Sequence, residues 1–165
     1  MWRSLRVDLK ARKASWQEVP PEEVAFGGRY RTGQALWERE AYRVDPLSPE
    51  NPLVFAVGPL AGTGFSNANR TSVGTRSPLT LGIKEANGGG TFGYALGQLR
   101  LAHLVLEGES PEWVVLRLTR SGEVHFDPAQ DLLGLGNLEA ARRLFAAYGQ
   151  RIALALSGPA GEALG

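Results

Sequence analysis

Residues 69–93, NRTSVGTRSPLTLGIKEANGGGTFG, combine two arginines, several hydroxyl side chains and three consecutive glycines in a chain of otherwise ordinary composition. Gly88, Gly89 and Gly90 can direct successive backbone N–H groups into one concavity, because glycine accepts positive φ. A helix that begins near residue 91 adds unbonded N–H groups and the positive end of its dipole. The stretch is therefore a candidate anion site, with Arg70 or Arg76 as the charged partner of phosphate oxygens.

Two other interpretations of the same glycines remain open. In the first, the glycines only turn a loop and the arginines are solvated. In the second, residues 88–93 are a G-x-G-x-x-G fingerprint for a dinucleotide, and Glu107, nineteen residues after Gly88, is the acid that binds the ribose. Against the fingerprint, residues 84–87 are polar where a buried strand should lead into the first glycine, and repeated strand–helix units are missing.

Size and composition exclude several classes of function. A chain of 165 residues fits one domain. On folding it buries roughly 70% of the surface that the unfolded chain exposes, so it needs no disulfide or metal to fold. It has no cysteine, so it cannot itself supply a disulfide, an iron–sulfur cluster or a thiolate nucleophile. The sequence contains only two histidines, His103 and His125, and this small number argues against a classical zinc site. A net charge of +1 without a basic block gives no support for nucleic-acid or membrane binding.

The ends and the residue bias point to a cytoplasmic protein. The first residues lack the apolar core of a signal peptide, and no apolar run approaches the length of a membrane span. Arginine supplies fifteen of the eighteen basic residues, and proline is plentiful at ten. This bias is typical of a thermophile, although GC-rich coding produces the same pattern.

Periodicity predicts a mixture of short strands and helices. Residues 53–57 are continuously apolar, which is typical of a strand buried on both faces. Residues 138–148 have the clearest amphipathic pattern of a helix. The remaining predicted elements are hairpins at 5–9/15–19 and 113–118/123–126, helices at 34–41 and 91–99, and strands at 101–107 and 152–156.

A repeated sequence pattern predicts that the chain contains two copies of one unit. Residues 53–62 and 152–161 share one plan, an apolar strand followed by Gly-Pro and then Ala-Gly. Each is preceded by a predicted hairpin and helix. The alternative is a chance recurrence of a common strand–turn pattern.

The ordered motifs of the chain resemble the N-terminal domain of the tungsten-containing aldehyde:ferredoxin oxidoreductases. The Asp-Pro-Leu-Ser-Pro-Glu-Asn run at 45–51 and the Ser-Pro-Leu-Thr run at 77–80 are the most specific of them. The other matching stretches are 26–29, 58–63, 75–80, 87–93, 107–108 and 158–162.

This resemblance implies an α+β fold, a single domain of two intertwined β-rich halves with a few short helices. It also implies a base for a bis-pyranopterin tungsten cofactor. An arginine at the place of Arg70 approaches the cofactor, and the residue at the place of Asn87 offers its backbone carbonyl to a magnesium ion that bridges the pterin phosphates. The glycines at 88–90 let the backbone come close. The family's cofactor site therefore coincides with the anion site predicted from the residues.

The chain also departs from the family. Family members are several times longer, their later domains carry the iron–sulfur cysteines, and a second pterin loop follows the place of Glu162. At 100–103, Arg-Leu-Ala-His replaces the usual Phe-Ala-Gly-Tyr.

We therefore expect residues 1–165 to form one N-terminal-like domain that is not catalytic alone. It would act as a cofactor-binding or scaffold piece for a partner subunit that carries the iron–sulfur and later domains, and a homodimer is a further expectation. The alternatives are a non-catalytic phosphate- or dinucleotide-binding module and a degenerate remnant.

Overall fold

The alternating residues at the start of the chain form the predicted hairpin, in which β1 (Arg3–Asp8) pairs antiparallel with β2 (Lys13–Glu18). The computed structural model describes residues 1–163, so the last two positions of the expected 1–165 domain lie outside the described residues. The chain divides into two compact units, Met1–Pro111 and Glu112–Gly165.

The first unit contains one six-stranded mixed sheet in the order β2-β1-β6-β3-β4-β5. β1 and β6 are parallel, and all other neighbours are antiparallel. The remaining elements are a 3-10 helix at Pro21–Glu23, α1 (Gly28–Glu38), a 3-10 helix at Ala41–Arg43, β3 (Leu53–Val57), β4 (Thr71–Arg76), β5 (Ile83–Gly88), α2 (Thr91–Gln98) and β6 (Leu101–Glu107).

The core of this unit lies where α1 covers the centre of the sheet. Ala35 and Leu36 on α1 pack against Val54 of β3 and Val105 of β6, and all four are buried. Burial of each such side chain stabilises the fold by about 1.5–3 kcal/mol, apart from the smaller contribution of Ala35. The two central strands and α1 therefore share one apolar core.

The second unit has fewer elements. β7 (Val114–Leu118) and β8 (Val124–Pro128) form a two-stranded antiparallel sheet. A 3-10 helix at Gln130–Leu132, α3 (Asn137–Tyr148) and a short α4 (Pro159–Glu162) follow.

The α+β class of the fold is confirmed, with mixed strands and a few short helices. Both hairpins, the strand at 53–57, the strand at 101–107 and the helices near 91 and 138 form as predicted. Among residues 1–163, no helix is long and apolar enough to cross a membrane.

Two predictions about secondary structure are wrong, and two strands were missed. Residues 152–156 form no strand, because no neighbouring strand within the described residues accepts their hydrogen bonds. The helix predicted over 34–41 instead runs over Gly28–Glu38, so it includes the glycines at 28 and 33. The segments that form β4 and β5 were not predicted as strands, because hydroxyl and charged residues dominate them where a strand normally carries large apolar ones.

Candidate functional site

The structure brings Arg70 and Asn87 together at one end of the sheet. Arg70 immediately precedes β4, and Asn87 lies near the end of β5, paired in register with Ser72. The Arg70 guanidinium donates from Nε to the Asn87 side-chain oxygen and from Nη2 to the Asn87 backbone oxygen, the latter at 3.2 Å. Two residues seventeen positions apart in the chain therefore form one polar cluster.

The glycines lie directly beside this cluster. A Cβ atom on Gly89 would lie 3.8 Å from Nη1 of Arg70, so the guanidinium passes over the backbone of the loop. Gly90 has a φ of 129°, a backbone conformation that residues with a side chain rarely adopt. The helix α2 begins at the next residue. A Cβ on Gly88 or Gly90 would meet no atom within 4 Å, so this side of the loop is open to a ligand.

Close packing fixes the N-terminus of α2 beside Arg70. A Cβ on Gly93 would lie 2.3 Å from the backbone oxygen of Asn69, so the helix touches the chain just before Arg70. The Asn69 side-chain oxygen accepts a hydrogen bond from the Gly62 N–H at 2.8 Å. Packing of α2 on Asn69 therefore holds the free N–H groups at the start of this helix close to Arg70, the next residue in the chain.

Further polar residues on β4, β5 and α1 surround Asn87. The Asn87 Nδ2 atom donates to the hydroxyl of Ser72 at 3.2 Å, and Ser72 is buried. Glu85 lies two residues before Asn87 on β5 and forms an ion pair with Arg29 at 3.2 Å. Hydrogen bonding from Ser72, with a smaller contribution from the charge of Arg29, holds the pKa of Glu85 below its usual range against the opposing effect of burial.

Arg76 does not join this cluster, although the sequence made it an equal candidate with Arg70. It stands at the other end of β4, which at the rise of a strand is about 20 Å from Arg70. Its guanidinium donates to the backbone oxygens of Leu81, at 3.0 Å, and Val44. These bonds connect the β4–β5 turn to the segment before β3. The Arg76 side chain therefore stabilises the fold at this end of the sheet.

The topology contradicts the dinucleotide fingerprint. β5 is an edge strand, and the next strand, β6, lies three places away in the sheet instead of adjacent and parallel. Glu107 accepts hydrogen bonds from Arg6 and Arg39, each at 2.5 Å, so its carboxylate is already paired with two guanidinium groups. Neither the strand order nor the acid is arranged for a ribose.

The two histidines have different surroundings. Nδ1 of His103, on β6, is buried without a hydrogen-bond partner. Burial, followed by the charges of Arg31 and Arg39, lowers the pKa of His103 to about 4. His125 lies on β8 with 40% of its side chain exposed. Within residues 1–163, no group of three histidine or acidic side chains is arranged to hold a metal ion.

Sequence reasoning missed the supporting residues Ser72, Glu85 and Arg29. The alternation of Ser72 with Gly74, and of Glu85 with Asn87, carries the signal, because such residues share one face of a strand. That signal needs the pairing of β4 with β5, which was not predicted.

Comparisons with known proteins agree with the resemblance found in the sequence. Residues 4–165 match the family described as aldehyde ferredoxin oxidoreductase, N-terminal domain. The tungsten-containing aldehyde ferredoxin oxidoreductase of Pyrococcus furiosus is 34% identical over 166 residues, which cover 98% of this chain and 27% of the relative. The enzyme of the same description from Thermococcus kodakarensis shows the same identity and coverage.

A solved structure shares both the fold and part of the sequence. It is described as the active site complex BamBC of benzoyl coenzyme A reductase in complex with 1,5-dienoyl-CoA. The TM-score is 0.84 and the identity is 32%, over 90% of this chain and 23% of the other. The present chain thus spans about a quarter of the length of these relatives.

Proposed function

The chain belongs to the aldehyde ferredoxin oxidoreductase family through its N-terminal domain, and from this premise we propose that it holds part of a tungsten–pterin cofactor together with a partner polypeptide. The observation that carries the proposal is the cluster of Arg70, Asn87 and the glycine loop. The rest of the site would come from the region that follows this domain in the relatives, since the chain covers only 27% of their length.

The residues of the cluster suit a phosphate-bearing cofactor. Arg70 supplies a permanently charged, fork-shaped group that matches phosphate oxygens. The open backbone at Gly88 and Gly90, together with the start of α2, supplies N–H donors close to that charge. The backbone carbonyl of Asn87 would hold a magnesium ion, which would neutralise phosphate charge. Arg70 Nη2, which donates to this carbonyl, would then donate to a phosphate oxygen instead.

The division of labour follows from what the chain contains. When bound, the cofactor supplies the redox chemistry of aldehyde oxidation. The residues of this chain bind and orient its phosphates, and a cysteine-free chain leaves iron–sulfur electron transfer to the partner. We therefore propose that the chain alone does not catalyse the reaction, and that its place is in a cytoplasmic complex.

The test is co-purification of the tagged chain from its native host, followed by tungsten, molybdenum and iron analysis and by identification of pterin. We expect metal and pterin in a complex with a second polypeptide or with a longer form of the chain. A protein isolated without metal, pterin and partner would contradict the proposal.

A second candidate is a phosphate-binding module without a redox role. It is favoured by one observation: Arg70, Asn87 and the glycine loop all lie in the first unit, so the anion site needs no other domain. Calorimetric titration with a pterin phosphate, inorganic pyrophosphate and NAD separates the candidates. Preference for the pterin phosphate supports the cofactor, equal binding of pyrophosphate supports the simple module, and preference for NAD would contradict both.

A further inference from the structure

The face of the six-stranded sheet that α1 covers becomes polar toward the hairpin β1–β2. At the centre of this face, Val54 and Val105 pack against the helix. Beside them, two rows of paired residues cross β2, β1 and β6. The rows are Gln17–Ser4–His103 and Ser15–Arg6–Val105. Every side chain in these rows except that of Val105 is polar, so on this face the apolar core ends at β6.

A cavity of about 240 Å³ lies between this polar part of the sheet and α1. The strands β1, β2 and β6 contribute to its lining, α1 forms one wall, and Val19, Pro20 and Glu23 form another. One water occupies roughly 30 Å³, so the cavity has room for a small organic molecule. Its polar lining suits a ligand that forms hydrogen bonds. The residues of the Arg70–Asn87 cluster do not line it.

The most deeply buried charge in the lining is that of Arg31, whose side chain is only 2% exposed. Its guanidinium donates from Nε and Nη2 to the backbone oxygens of Phe26 and Glu23. The Glu23 carboxylate lies 4.0 Å from Nη1, which is beyond hydrogen-bond distance. A guanidinium stays protonated inside a protein, and a buried charge needs a close partner. The positive charge of Arg31 is therefore incompletely compensated by the protein.

His103 also lacks a partner in this cavity. Its Nδ1 atom is buried without a hydrogen bond, which leaves the desolvation of that nitrogen uncompensated. Burial, followed by the charges of Arg31 and Arg39, lowers the pKa of His103 to about 4. The ring is therefore neutral and stands in the positive field of two arginines.

Arg39 supplies a second guanidinium to the lining. Its Nε donates to Glu107 at 2.5 Å and its Nη1 donates to the Ala35 oxygen at 3.0 Å. The hydrogen bonds of the described residues leave its Nη2 without a partner, so this nitrogen can serve a ligand. The acids Glu18 and Glu38 also line the cavity, but both are exposed. The lining is thus positive where it is buried and negative at its rim.

We propose that this cavity binds a small carboxylate monoanion. The carboxylate lies between Arg31 and Arg39, compensates the buried charge of Arg31, and accepts a hydrogen bond from Nη2 of Arg39. The neutral ring of His103 donates its one N–H to the same group. The cavity volume restricts the rest of the ligand to a few heavy atoms.

The charges of the lining favour a monoanion over more highly charged ligands. A planar guanidinium matches a carboxylate in shape and charge. A dianion such as phosphate gains little more from the arginines and is repelled by Glu18 and Glu38 at the rim. The inference rests on neither the cofactor nor the partner proposed above, because all the groups that it uses lie in the first unit.

The experiment titrates the full chain carrying Arg70→Ala with sodium acetate at pH 7 and constant ionic strength, without pterin. The substitution removes the other candidate anion site. Nuclear magnetic resonance follows the ring of His103 and the amides of Gly88 and Gly90. We expect saturable shifts of the His103 ring and unchanged glycine amides. Chloride and inorganic phosphate should each bind at least about tenfold more weakly than acetate, the loss expected for one unmade charge-assisted bond.

Two variants test the cavity in this background. Arg39→Gln removes a guanidinium and should weaken acetate binding at least about tenfold, while Arg6 still pairs with Glu107. His103→Phe removes the ring nitrogens and should also weaken binding. Without acetate it should unfold at a higher urea concentration than the parent, because the unpaired buried nitrogen is gone.

The control is Arg43→Gln, which removes an arginine that pairs with Glu40 outside the cavity. This variant should bind acetate as the parent does. If His103→Phe does not fold, Arg39→Gln and this control decide the result.

Four outcomes overturn the inference. They are the absence of saturable shifts at His103, equal shifts with chloride (an adventitious ion only), tighter binding of phosphate than of acetate, and equal acetate affinity of Arg39→Gln and Arg43→Gln. The titration contains no pterin and lacks Arg70, so its failure leaves the cofactor proposal standing. A failure to find cofactor in the native host likewise leaves the carboxylate site standing.

Discussion

The side-chain amide of Asn51 bonds to the backbone of Arg76 through both of its ends. The Arg76 N–H donates to Oδ1 at 3.1 Å, and Nδ2 donates to the Arg76 oxygen at 3.0 Å. Nδ2 also donates to the Pro46 oxygen at 2.7 Å. The asparagine thus replaces a neighbouring strand at the end of β4 and links the 45–51 segment to the 75–80 segment.

We expect Asn51→Ala to lower the free energy of unfolding by about 1–3 kcal/mol, because two backbone groups of Arg76 lose their partner. Urea denaturation measures this change. Asn51→Asp keeps only the acceptor and should be destabilising as well. Glu50→Ala, a change at the exposed neighbour, should stay within about 0.5 kcal/mol of the parent, and a similar loss there would argue against the specific role of the amide.

Variants of Arg70 and Arg76 form a matched pair that tests the anion site. Arg70→Ala should weaken binding of a pterin phosphate at least about tenfold, with a change in stability within about 0.5 kcal/mol, because its side chain is exposed. Arg76→Ala should do the reverse and cost about 1–3 kcal/mol through the lost bonds to Leu81 and Val44. Calorimetry and urea denaturation of both variants check the two effects, and weakened binding confined to Arg76→Ala would refute the assignment.

Two helical glycines should respond to alanine with opposite signs. In α2, a Cβ on Gly97 would lie 2.1 Å from the backbone carbon of Ala61, so Gly97→Ala should destabilise the protein by about 3 kcal/mol. In α1, a Cβ on Gly33 would meet nothing within 4 Å, and Gly33→Ala should stabilise by roughly 0.5–1 kcal/mol. Thermal and urea unfolding of the two variants test whether α2 approaches the Ala61 backbone closely at Gly97. Equal effects of the two variants on stability would exclude this close approach.

His103 should make stability depend on pH in the acidic range. Burial, together with Arg31 and Arg39, lowers its folded-state pKa to about 4, below the ordinary 6.5, so the unfolded chain binds the proton more readily. The neutral histidine therefore contributes stability that is fully present above pH 6.5 and is lost as the pH falls toward 4. The total loss should be at most about 3 kcal/mol.

The measurement is the free energy of unfolding in urea between pH 4 and pH 7. His103→Gln cannot be protonated and should flatten this part of the profile. His125→Gln, at an exposed position, is the control for the replacement of a histidine by glutamine. An unaltered slope in His103→Gln would show that other groups cause the pH dependence.

Short-range patterns in the sequence determined much of this protein. The alternation in the first hairpin, the continuous apolar run at 53–57 and the amphipathic stretch at 138–148 each gave the correct element, because local periodicity reports which face is buried. The ordered motifs indicated the family, the glycine loop with Arg70 or Arg76 indicated a candidate anion site, and the family resemblance added Asn87.

Only the tertiary structure decided which residues share that site. Arg70 and Arg76 look alike in the sequence, yet β4 places them at opposite ends of a strand. Glu107 fits a ribose site by spacing but is held by Arg6 and Arg39. Residues 152–156 repeat the pattern of β3 without forming a strand, because a strand exists only where a neighbour accepts its hydrogen bonds, and the sequence of one segment cannot specify that neighbour.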